Sequence, residues 1–327
     1  MIVLIAGLFF YGSCFGSFMN VVVYRLPAGL SVVLPASRCP RCRQRIRPLH
    51  NIPVFGWLLL RGKCYDCQLP ISCRYPLVEA AVGLLFVGIG SADVLARFAL
   101  VPSAFDPLVR SADSAITLWC ACAYHALLLC TLICAVLIEG DENEIPRRLF
   151  LPALVGGFAI PLAFVDVRVL AISPGTMSLP DWQSAIVDGV AGGMVGLALG
   201  LVFMRMDRTR REVLLASLFL AGVFLGWQLI AAVVFLLVLL VLLQALVTGW
   251  GPRRHSPASS GISTLALLTL SVAVCIIYRD AWIDDLSLST SASLWVLWQA
   301  AVCAALISWL IARGTAQATT ACPNEHN

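Results

Sequence analysis

AITLWCACAYHALLLCTLICAVLI, residues 115–138, is a stretch of 24 residues without one Asp, Glu, Lys or Arg. A helix needs about 20 apolar residues to cross the hydrocarbon core of a bilayer, so this stretch alone is long enough. The rest of the chain is similar: 60% of the residues are hydrophobic, 12% are charged and the mean hydropathy is +0.91. A soluble domain carries roughly 25% charged residues, and we therefore predict an integral membrane protein.

Eight further apolar runs accompany that stretch, and we predict an all-α polytopic membrane protein with about 8–9 transmembrane helices. The nine predicted helices are 1–24, 77–101, 115–138, 150–172, 185–204, 213–226, 229–247, 264–278 and 291–312. The sixth and eighth are short, which favours tilted, re-entrant or partly interfacial helices. In the fifth, Gly192, Gly196 and Gly200 recur at every fourth position, a spacing that favours close packing against another helix.

Basic residues cluster between the first two predicted helices. From Arg25 to Tyr75 the chain has nine Lys and Arg residues against one acid, Asp66. Because loops rich in Lys and Arg stay in the cytoplasm, we predict a cytoplasmic loop, an N-terminus outside and a C-terminal tail inside. Residues 1–24 lack a basic start and a small-residue cleavage site, so we expect a retained helix rather than a signal peptide. Membrane lipid is the expected environment, and we expect no nucleic-acid partner.

Four cysteines in that loop form two CxxC units, Cys39-Pro-Arg-Cys42 and Cys64-Tyr-Asp-Cys67, separated by 21 residues. Each unit is typical of a tight turn whose thiolates converge, and two such turns supply the four sulfur ligands of structural zinc. The basic surroundings favour thiolates. A loop of about fifty residues has little core of its own, so bound metal would supply much of its folding free energy. Redox chemistry and a metal-free ribbon are the alternatives.

These features divide the chain into four segments. The predicted segments are a first membrane helix at 1–24, a cytoplasmic zinc-ribbon-like loop at 25–76, a membrane helix bundle at 77–312 and a disordered tail at 313–327. Most of the other cysteines lie singly in apolar runs, where a thiol behaves as a small hydrophobe.

Several motifs near the N-terminus occur in the order and spacing of a known family. The stretch Gly16-Ser-Phe-Met-Asn20-Val-Val-Val-Tyr-Arg25-Leu-Pro27 resembles the opening signature of bacterial prepilin peptidases, and the cysteine loop follows it as in that family. The later motifs are Asn51-Ile-Pro53-Val-Phe-Gly-Trp57, Leu60-Arg-Gly-Lys-Cys64 and Ile71-Ser-Cys-Arg-Tyr-Pro-Leu-Val-Glu79. Together the motifs cover nearly all of residues 12–80. The family positions that they contain include Gly16, Asn20, Arg25 and Glu79.

The resemblance implies a hydrolase of the bacterial inner membrane, a type IV leader peptidase of the A24-type aspartic peptidase family. Such enzymes remove the short basic leader from type IV prepilins and type II secretion pseudopilins at the cytoplasmic face. Many also act as methyltransferases that N-methylate the newly exposed residue with S-adenosylmethionine. Cleavage is expected from two carboxylates on separate helices, because one ionised group activates water while its protonated partner polarises the scissile carbonyl. Glu79 would serve the substrate or the methylation site, with a position at the membrane interface as the alternative.

The family's first carboxylate corresponds to the stretch Leu137-Ile-Glu139-Gly-Asp141-Glu-Asn-Glu144-Ile-Pro146. The family pattern has an Asp seven residues before a proline, which places Glu139 on the catalytic position and Asp141, the alternative catalytic acid, on the second acid of the motif. Glu is one methylene longer than Asp. A solvated acidic helix end is the alternative interpretation, although acids at a helix C-terminus oppose the helix dipole.

The family's second carboxylate belongs to a Gly-x-Gly-Asp-x-Lys motif, and the corresponding region here lacks those glycines. It reads Met206-Asp207-Arg-Thr-Arg-Arg-Glu212-Val-Leu-Leu-Ala216, followed by the family-like Gly222-Val-Phe-Leu-Gly-Trp-Gln228. We predict Glu212 as the partner of Glu139, with Asp207 as the alternative. Because the glycines permit close backbone approach, their loss leaves a second class open: a peptidase-inactive member that acts as a methyltransferase or as a pilus or secretion assembly factor. The N-terminal motifs exclude an unrelated transporter.

Overall fold

The computed structural model describes residues 2–34, 36–100, 112–164, 167, 181–200, 208–248 and 263–278. Its α-helices are α1 Ile2–Arg25, α2 Phe55–Leu59, α3 Arg74–Leu100, α4 Ala112–Gly140, α5 Leu151–Ala163, α6 Asp181–Gly200, α7 Arg208–Thr248 and α8 Thr264–Ile277. Two short 3-10 turns lie at Pro48–Asn51 and Arg147–Leu149. The described residues form no β-structure beyond two isolated bridges, so the predicted all-α fold is confirmed. The predicted helix 291–312 and the tail 313–327 lie outside the described residues, and the division at 25–76 and 77–312 stays a prediction.

Two predicted helix ends differ from the observed ones. α3 begins at Arg74, before the predicted start at residue 77, and Pro76 lies in its first turn. A proline fits there because the N–H that it lacks would have no acceptor within the helix. α5 ends at Ala163, whereas the prediction extended to residue 172. Phe164 follows α5 with non-helical backbone, and nearly all of the remaining predicted extension lies outside the described residues.

α7 consists of two helical segments that meet at Gly226, whose φ of 76° and ψ of 172° are not helical. The segments 208–225 and 227–248 correspond to the predicted helices 213–226 and 229–247. This combination of backbone angles is open almost exclusively to glycine, so Gly226 sets the position of the break.

Four helices of the described part are long and apolar enough to cross a membrane. They are Ile2–Arg25, Arg74–Ser91, Trp119–Gly140 and Trp182–Gly200, and two shorter apolar stretches are Ala232–Val241 and Thr264–Ile277. Large apolar side chains such as Phe10, Leu84 and Met194 are exposed on these helices. Lipid chains can cover such side chains, whereas water would not favour an exposed apolar surface of this extent. The helices are therefore those of a polytopic membrane protein.

The described residues divide into two compact units. The first comprises 2–88 and 137–146, with α1, the cysteine loop, the start of α3 and the end of α4. Within it, a Cβ atom on Gly16 would lie 2.7 Å from the Cα of Glu79. Gly16 is therefore required in the first family motif because the backbone of α3 occupies the space of a side chain.

The second unit contains the rest of the described chain, and α6 packs against α7 within it. A Cβ atom on Gly192 would collide with the carbonyl oxygen of Gly222, and one on Gly196 would collide with that of Leu218. The two helices therefore touch through their backbones. The role in helix packing predicted from the glycine spacing is confirmed.

Candidate metal centre and acidic helix end

The four predicted metal ligands converge in the folded loop. The Sγ atoms of Cys39, Cys42, Cys64 and Cys67 all lie within 4.8 Å of one another. Between the two CxxC units, the Sγ–Sγ distance is 4.0 Å for Cys39 and Cys67 and 4.0 Å for Cys42 and Cys64. Four sulfurs around zinc lie about 3.8 Å apart when each Zn–S bond is about 2.3 Å. The thiol set therefore fits a tetrahedral metal ion.

Both CxxC units build the same turn. In the first, the N–H of Cys39 donates to the carbonyl of Gln44, and the N–H of Arg43 donates to the carbonyl of Cys39. The second unit repeats both bonds through Cys64, Leu69 and Gln68. Arg43 and Gln68 occupy equivalent positions, and each has a φ of 58°. Two equal turns that face each other present their thiols to one point, as a structural metal site requires.

Hydrogen bonds within the cluster set the pKa values of its thiols. The pKa of Cys64 is lowered to about 7, because N–H groups of Cys67 and Asp66 donate to its sulfur and outweigh the effect of burial. For Cys42, the Gln44 N–H lowers the pKa, but lost hydration and the neighbouring thiols outweigh it and raise the pKa to about 12. One thiolate therefore forms readily near neutral pH, whereas the full set of thiolates needs a cation among them.

Side chains outside the thiol set brace the loop. The indole N–H of Trp57 donates to the carbonyl of Ile71 at 3.0 Å. The Arg47 guanidinium lies 3.9 Å from the centre of the Tyr65 ring and 3.4 Å from a carboxylate oxygen of Asp66. These contacts lie at the periphery of the loop, and a metal held by the four thiols would complete its centre.

Two of the family positions on α1 hold the chain on either side of the loop. The side-chain amide of Asn20 donates to the carbonyl of Tyr75 at 3.3 Å. Arg25, the last residue of α1, donates to the carbonyl of Ser31 at 3.2 Å. Both bonds join a family residue to backbone, so these residues shape the entry to and exit from the loop.

Glu79 joins α3 to the cysteine loop. Its carboxylate accepts a hydrogen bond from the backbone N–H of Val54 at 2.7 Å. Val54 is the central residue of a γ-turn, because the N–H of Phe55 donates to the carbonyl of Pro53 at 2.6 Å. Glu79 therefore has an internal partner in the folded loop.

α4 ends in a tight acidic turn. The N–H of Glu142 donates to the carbonyl of Glu139 at 3.0 Å, and the N–H of Asn143 donates to that of Ile138 at 3.2 Å. This pair of bonds is the Schellman motif, in which a residue with left-handed backbone ends the helix. Glu142 occupies that position with a φ of 58°, where glycine is the usual residue.

Glu139 and Asp141 in this turn differ in their surroundings. Both carboxylate oxygens of Asp141 are bound by the Arg74 guanidinium, Oδ1 by Nη1 and Oδ2 by Nη2. By contrast, Oε2 of Glu139 is buried and has no hydrogen-bond partner in the described part of the chain. Burial of such an oxygen without a partner is unfavourable. A water molecule or a donor from a substrate would satisfy it.

The other predicted carboxylate, Glu212, lies near the start of α7. Its Oε2 is 3.6 Å from Nη2 of Arg147, and 51% of the Glu212 side chain is exposed. Glu139 belongs to the first compact unit and Glu212 to the second, and their pairing stays a prediction. The alternative, Asp207, lies outside the described residues.

Arg74 has no predicted role beyond its place in a family motif. A signal for its role was present, since an acidic turn at a helix C-terminus needs a compensating cation. That cation could have been any arginine of the cysteine loop. The γ-turn at Val54 left no such signal, because valine is among the residues least expected at a positive φ.

Comparison with known proteins places this site in a family. Residues 10–92 match the family described as Bacterial Peptidase A24 N-terminal domain. The prepilin leader peptidase/N-methyltransferase of Myxococcus xanthus (strain DK1622) is 31% identical over 278 residues, which cover 81% of this chain and 70% of that protein. Its counterpart in Klebsiella pneumoniae is 33% identical over 229 residues, covering 68% of this chain and 85% of that protein. The Stutzerimonas stutzeri counterpart is 44% identical over 97 residues, 23% of this chain and 34% of that protein. No solved structure matches the chain.

The fold and the loop define a polytopic membrane protein with a four-cysteine cluster of metal-binding geometry. The chain belongs to the family of prepilin leader peptidase/N-methyltransferases, since relatives with that name align over most of both chains. The N-terminal family domain agrees with this assignment. The resemblance predicted from the motifs is confirmed.

Proposed function

We propose that this protein is an endopeptidase of the bacterial inner membrane that removes the basic leader from type IV prepilins or type II secretion pseudopilins. Membership of the family supports the substrate class, because the relatives carry the name prepilin leader peptidase. The observation that carries the proposal is the buried carboxylate oxygen of Glu139, which lacks a hydrogen-bond partner among the described residues. A site that activates water needs such an acceptor, because the water donates a hydrogen bond to it.

The proposed chemistry is that of an aspartic-type peptidase with glutamates in place of aspartates. One ionised carboxylate takes a proton from water, while the protonated partner donates a hydrogen bond to the scissile carbonyl. We assign Glu139 to this pair and keep Glu212 as its partner, with Asp207 as the alternative. The longer side chain of glutamate gives the pair additional reach, so the substitution by itself is compatible with activity.

The cysteine loop is proposed to hold one structural zinc ion. The four thiols are close enough for a tetrahedral site, and the two equivalent turns present them together. A four-cysteine set leaves no open coordination position. The metal would therefore stabilise the loop, and the hydrolytic chemistry would remain with the carboxylates.

The proposed orientation has the N-terminus outside and the cysteine loop in the cytoplasm. The nine-to-one excess of basic over acidic residues between Arg25 and Tyr75 supports it. In this orientation the end of α4 faces the same side as the loop, because Asp141 is bound by Arg74 at the loop's exit. A leader cleaved at the inner face would meet Glu139 there.

A second candidate function is that of a family member without peptidase activity, acting as a methyltransferase or an assembly factor. The environment of Glu212 favours it: half of this side chain is exposed and an arginine lies beside its carboxylate. A carboxylate that already pairs with an arginine at the surface is less available to a water molecule or a substrate. Methyl transfer would draw on S-adenosylmethionine, which the relatives' names imply.

One assay separates the two functions. The full chain, reconstituted in lipid vesicles, is incubated with a prepilin that carries its leader, with and without S-adenosylmethionine, and the products are resolved by mass spectrometry. Loss of the leader without the methyl donor, and addition of one methyl group with it, would support a bifunctional enzyme. An uncut prepilin would contradict the peptidase proposal. A methylated product from a pre-cleaved pilin under the same conditions would then favour the second candidate.

A further inference from the structure

Arg74 joins three parts of the first compact unit. It is the first residue of α3 and directly follows the cysteine loop. Its Nη1 and Nη2 bind the two oxygens of Asp141, the second of these bonds being 2.8 Å long. Its Nη2 also donates to the carbonyl of Leu137 at 3.3 Å. One side chain therefore connects the loop, the start of α3 and the last turn of α4.

The arrangement stabilises a helix end that would otherwise be unfavourable. The last turn of α4 concentrates negative charge, since exposed carbonyls of the helix C-terminus lie beside an acidic sequence. A guanidinium group matches a carboxylate with two parallel hydrogen bonds and can reach a helix carbonyl as well. The side chains of Arg74 and Asp141 are only 24% and 26% exposed, so the pair is partly shielded from water and salt.

The same contacts divide the roles of the two acids. Asp141 has both oxygens committed to Arg74, whereas Glu139 has a buried oxygen that accepts no hydrogen bond within the described residues. The oxygens of Asp141 are therefore occupied by a guanidinium, whereas the buried oxygen of Glu139 can still accept a hydrogen bond from water or a substrate. Of these two acids, Glu139 is the one available to react.

We propose that Arg74 is a positioning residue, which holds the last turn of α4 through Asp141 and so fixes Glu139 for reaction. Asp141 is then the structural partner of Arg74, and it is not one of the two reacting carboxylates. This inference rests on the proposed peptidase function for its consequence in catalysis. The positioning itself is a property of the fold and can be measured without a substrate.

The first test is a double-mutant cycle on leader cleavage at saturating substrate. Arg74→Gln and Asp141→Asn are each expected to lower the single-turnover rate by about 10- to 100-fold, because a misplaced carboxylate loses orientation. The double variant should be no slower than the slower single variant, since both substitutions remove one interaction. The rate of Arg74→Lys should lie between those of the parent and Arg74→Gln, because lysine keeps the positive charge but loses the paired N–H donors of the guanidinium. Glu144→Gln, an exposed acid of the same turn, is the matched control and should retain the parent rate.

The second test is hydrogen–deuterium exchange of the peptide that spans 137–144. The N–H groups of Glu142 and Asn143 are bonded to carbonyls of α4, and they should exchange faster in Arg74→Gln and in Asp141→Asn than in Glu144→Gln. The content of bound metal should not change. This measurement tests positioning even if the parent protein does not cut prepilin, so the two proposals fail separately.

Two results would overturn the inference. One is an Asp141→Asn variant as inactive as Glu139→Gln while Arg74→Gln keeps most of its activity, which would make Asp141 a reacting group. The other is unchanged exchange of the 137–144 peptide in both Arg74→Gln and Asp141→Asn, which would show that the contact does not hold the turn.

Discussion

Glu79 on α3 accepts a 2.7 Å hydrogen bond from the backbone N–H of Val54 in the cysteine loop. Val54 has a φ of 63° and a ψ of −55°, a conformation that is strained for a β-branched residue. A strained turn persists only when its surroundings determine it. The carboxylate of a membrane helix thus fixes the conformation of the loop that carries the four thiols.

The Glu79 contact predicts that the loop loosens when the acceptor is removed. In Glu79→Ala the amide of Val54 should exchange with deuterium about tenfold faster or more, since a buried donor loses its partner. Glu79→Gln keeps an acceptor oxygen, so the exchange rate of the Val54 amide should change less in that variant. Glu144→Ala, at an exposed residue, serves as the control. Val54→Gly should raise the free energy of unfolding of the loop by about 1 kcal/mol, because glycine relieves the positive φ. Equal exchange at Val54 in the parent and in Glu79→Ala would contradict the role given to Glu79.

Zinc binding is predicted to depend steeply on pH. The purified protein should contain close to one zinc ion per chain, and Cys39→Ser combined with Cys64→Ser should remove it, whereas Cys73→Ser should not. Protons compete with the metal for each thiolate. The competition at Cys64 ends above its pKa of about 7, but that at Cys42 continues toward its pKa of about 12. The zinc affinity should therefore rise with pH by about tenfold or more per unit between pH 6 and 8. An affinity that stays flat over this range would argue against a thiolate site.

The stability of the protein should be sensitive to any side chain at position 226. The φ of 76° at Gly226 is unfavourable for other residues, and a Cβ atom there would lie 2.9 Å from Oδ2 of Asp188. We expect Gly226→Ala to lower the free energy of unfolding by about 1–3 kcal/mol, measured by thermal unfolding in detergent micelles. Gly7→Ala is the control, because a Cβ atom at Gly7 meets nothing within 4 Å. Equal stability of the two variants would be incompatible with the helix break at Gly226.

The orientation of the chain is testable with reporter fusions. Fusions after Leu60 and after Asp284 should report opposite sides of the membrane, with Leu60 in the cytoplasm, because basic residues dominate the first of these loops. Fusions that report the same side would mean that the number of membrane crossings between these two residues has been miscounted by one.

Local patterns in the sequence predicted the parts of the fold that depend on local physics. The uncharged run 115–138 lies within α4, and Cys39 and Cys64 lie in one cluster, as the CxxC spacing predicted. Helix ends were less predictable: α3 begins three residues before the predicted start at residue 77, with Pro76 in its first turn. Length and apolar periodicity are averages over many residues, and a single proline moves a boundary without changing them.

The contacts that shape the candidate site could not be predicted from spacing. Arg74 and Asp141 are far apart in the chain, as are Val54 and Glu79, and only packing selects these partners among several loop arginines and backbone donors. The motifs nevertheless contained all of these residues, Asp141 being the second acid of the motif that ends at Pro146. The motifs thus identify the residues but not the contacts between them.

The role of Glu139 as a reacting carboxylate is tested most directly by single-turnover cleavage of a prepilin by Glu139→Gln and Glu139→Asp in lipid vesicles. Glutamine keeps the size of the side chain and cannot exchange a proton, so Glu139→Gln should lower the rate by at least about 100-fold. Glu139→Asp restores the residue that the family pattern has at this position and should retain measurable cleavage. Unchanged thermal unfolding and zinc content would show that both variants are folded. Cleavage by Glu139→Gln at the parent rate would contradict the account.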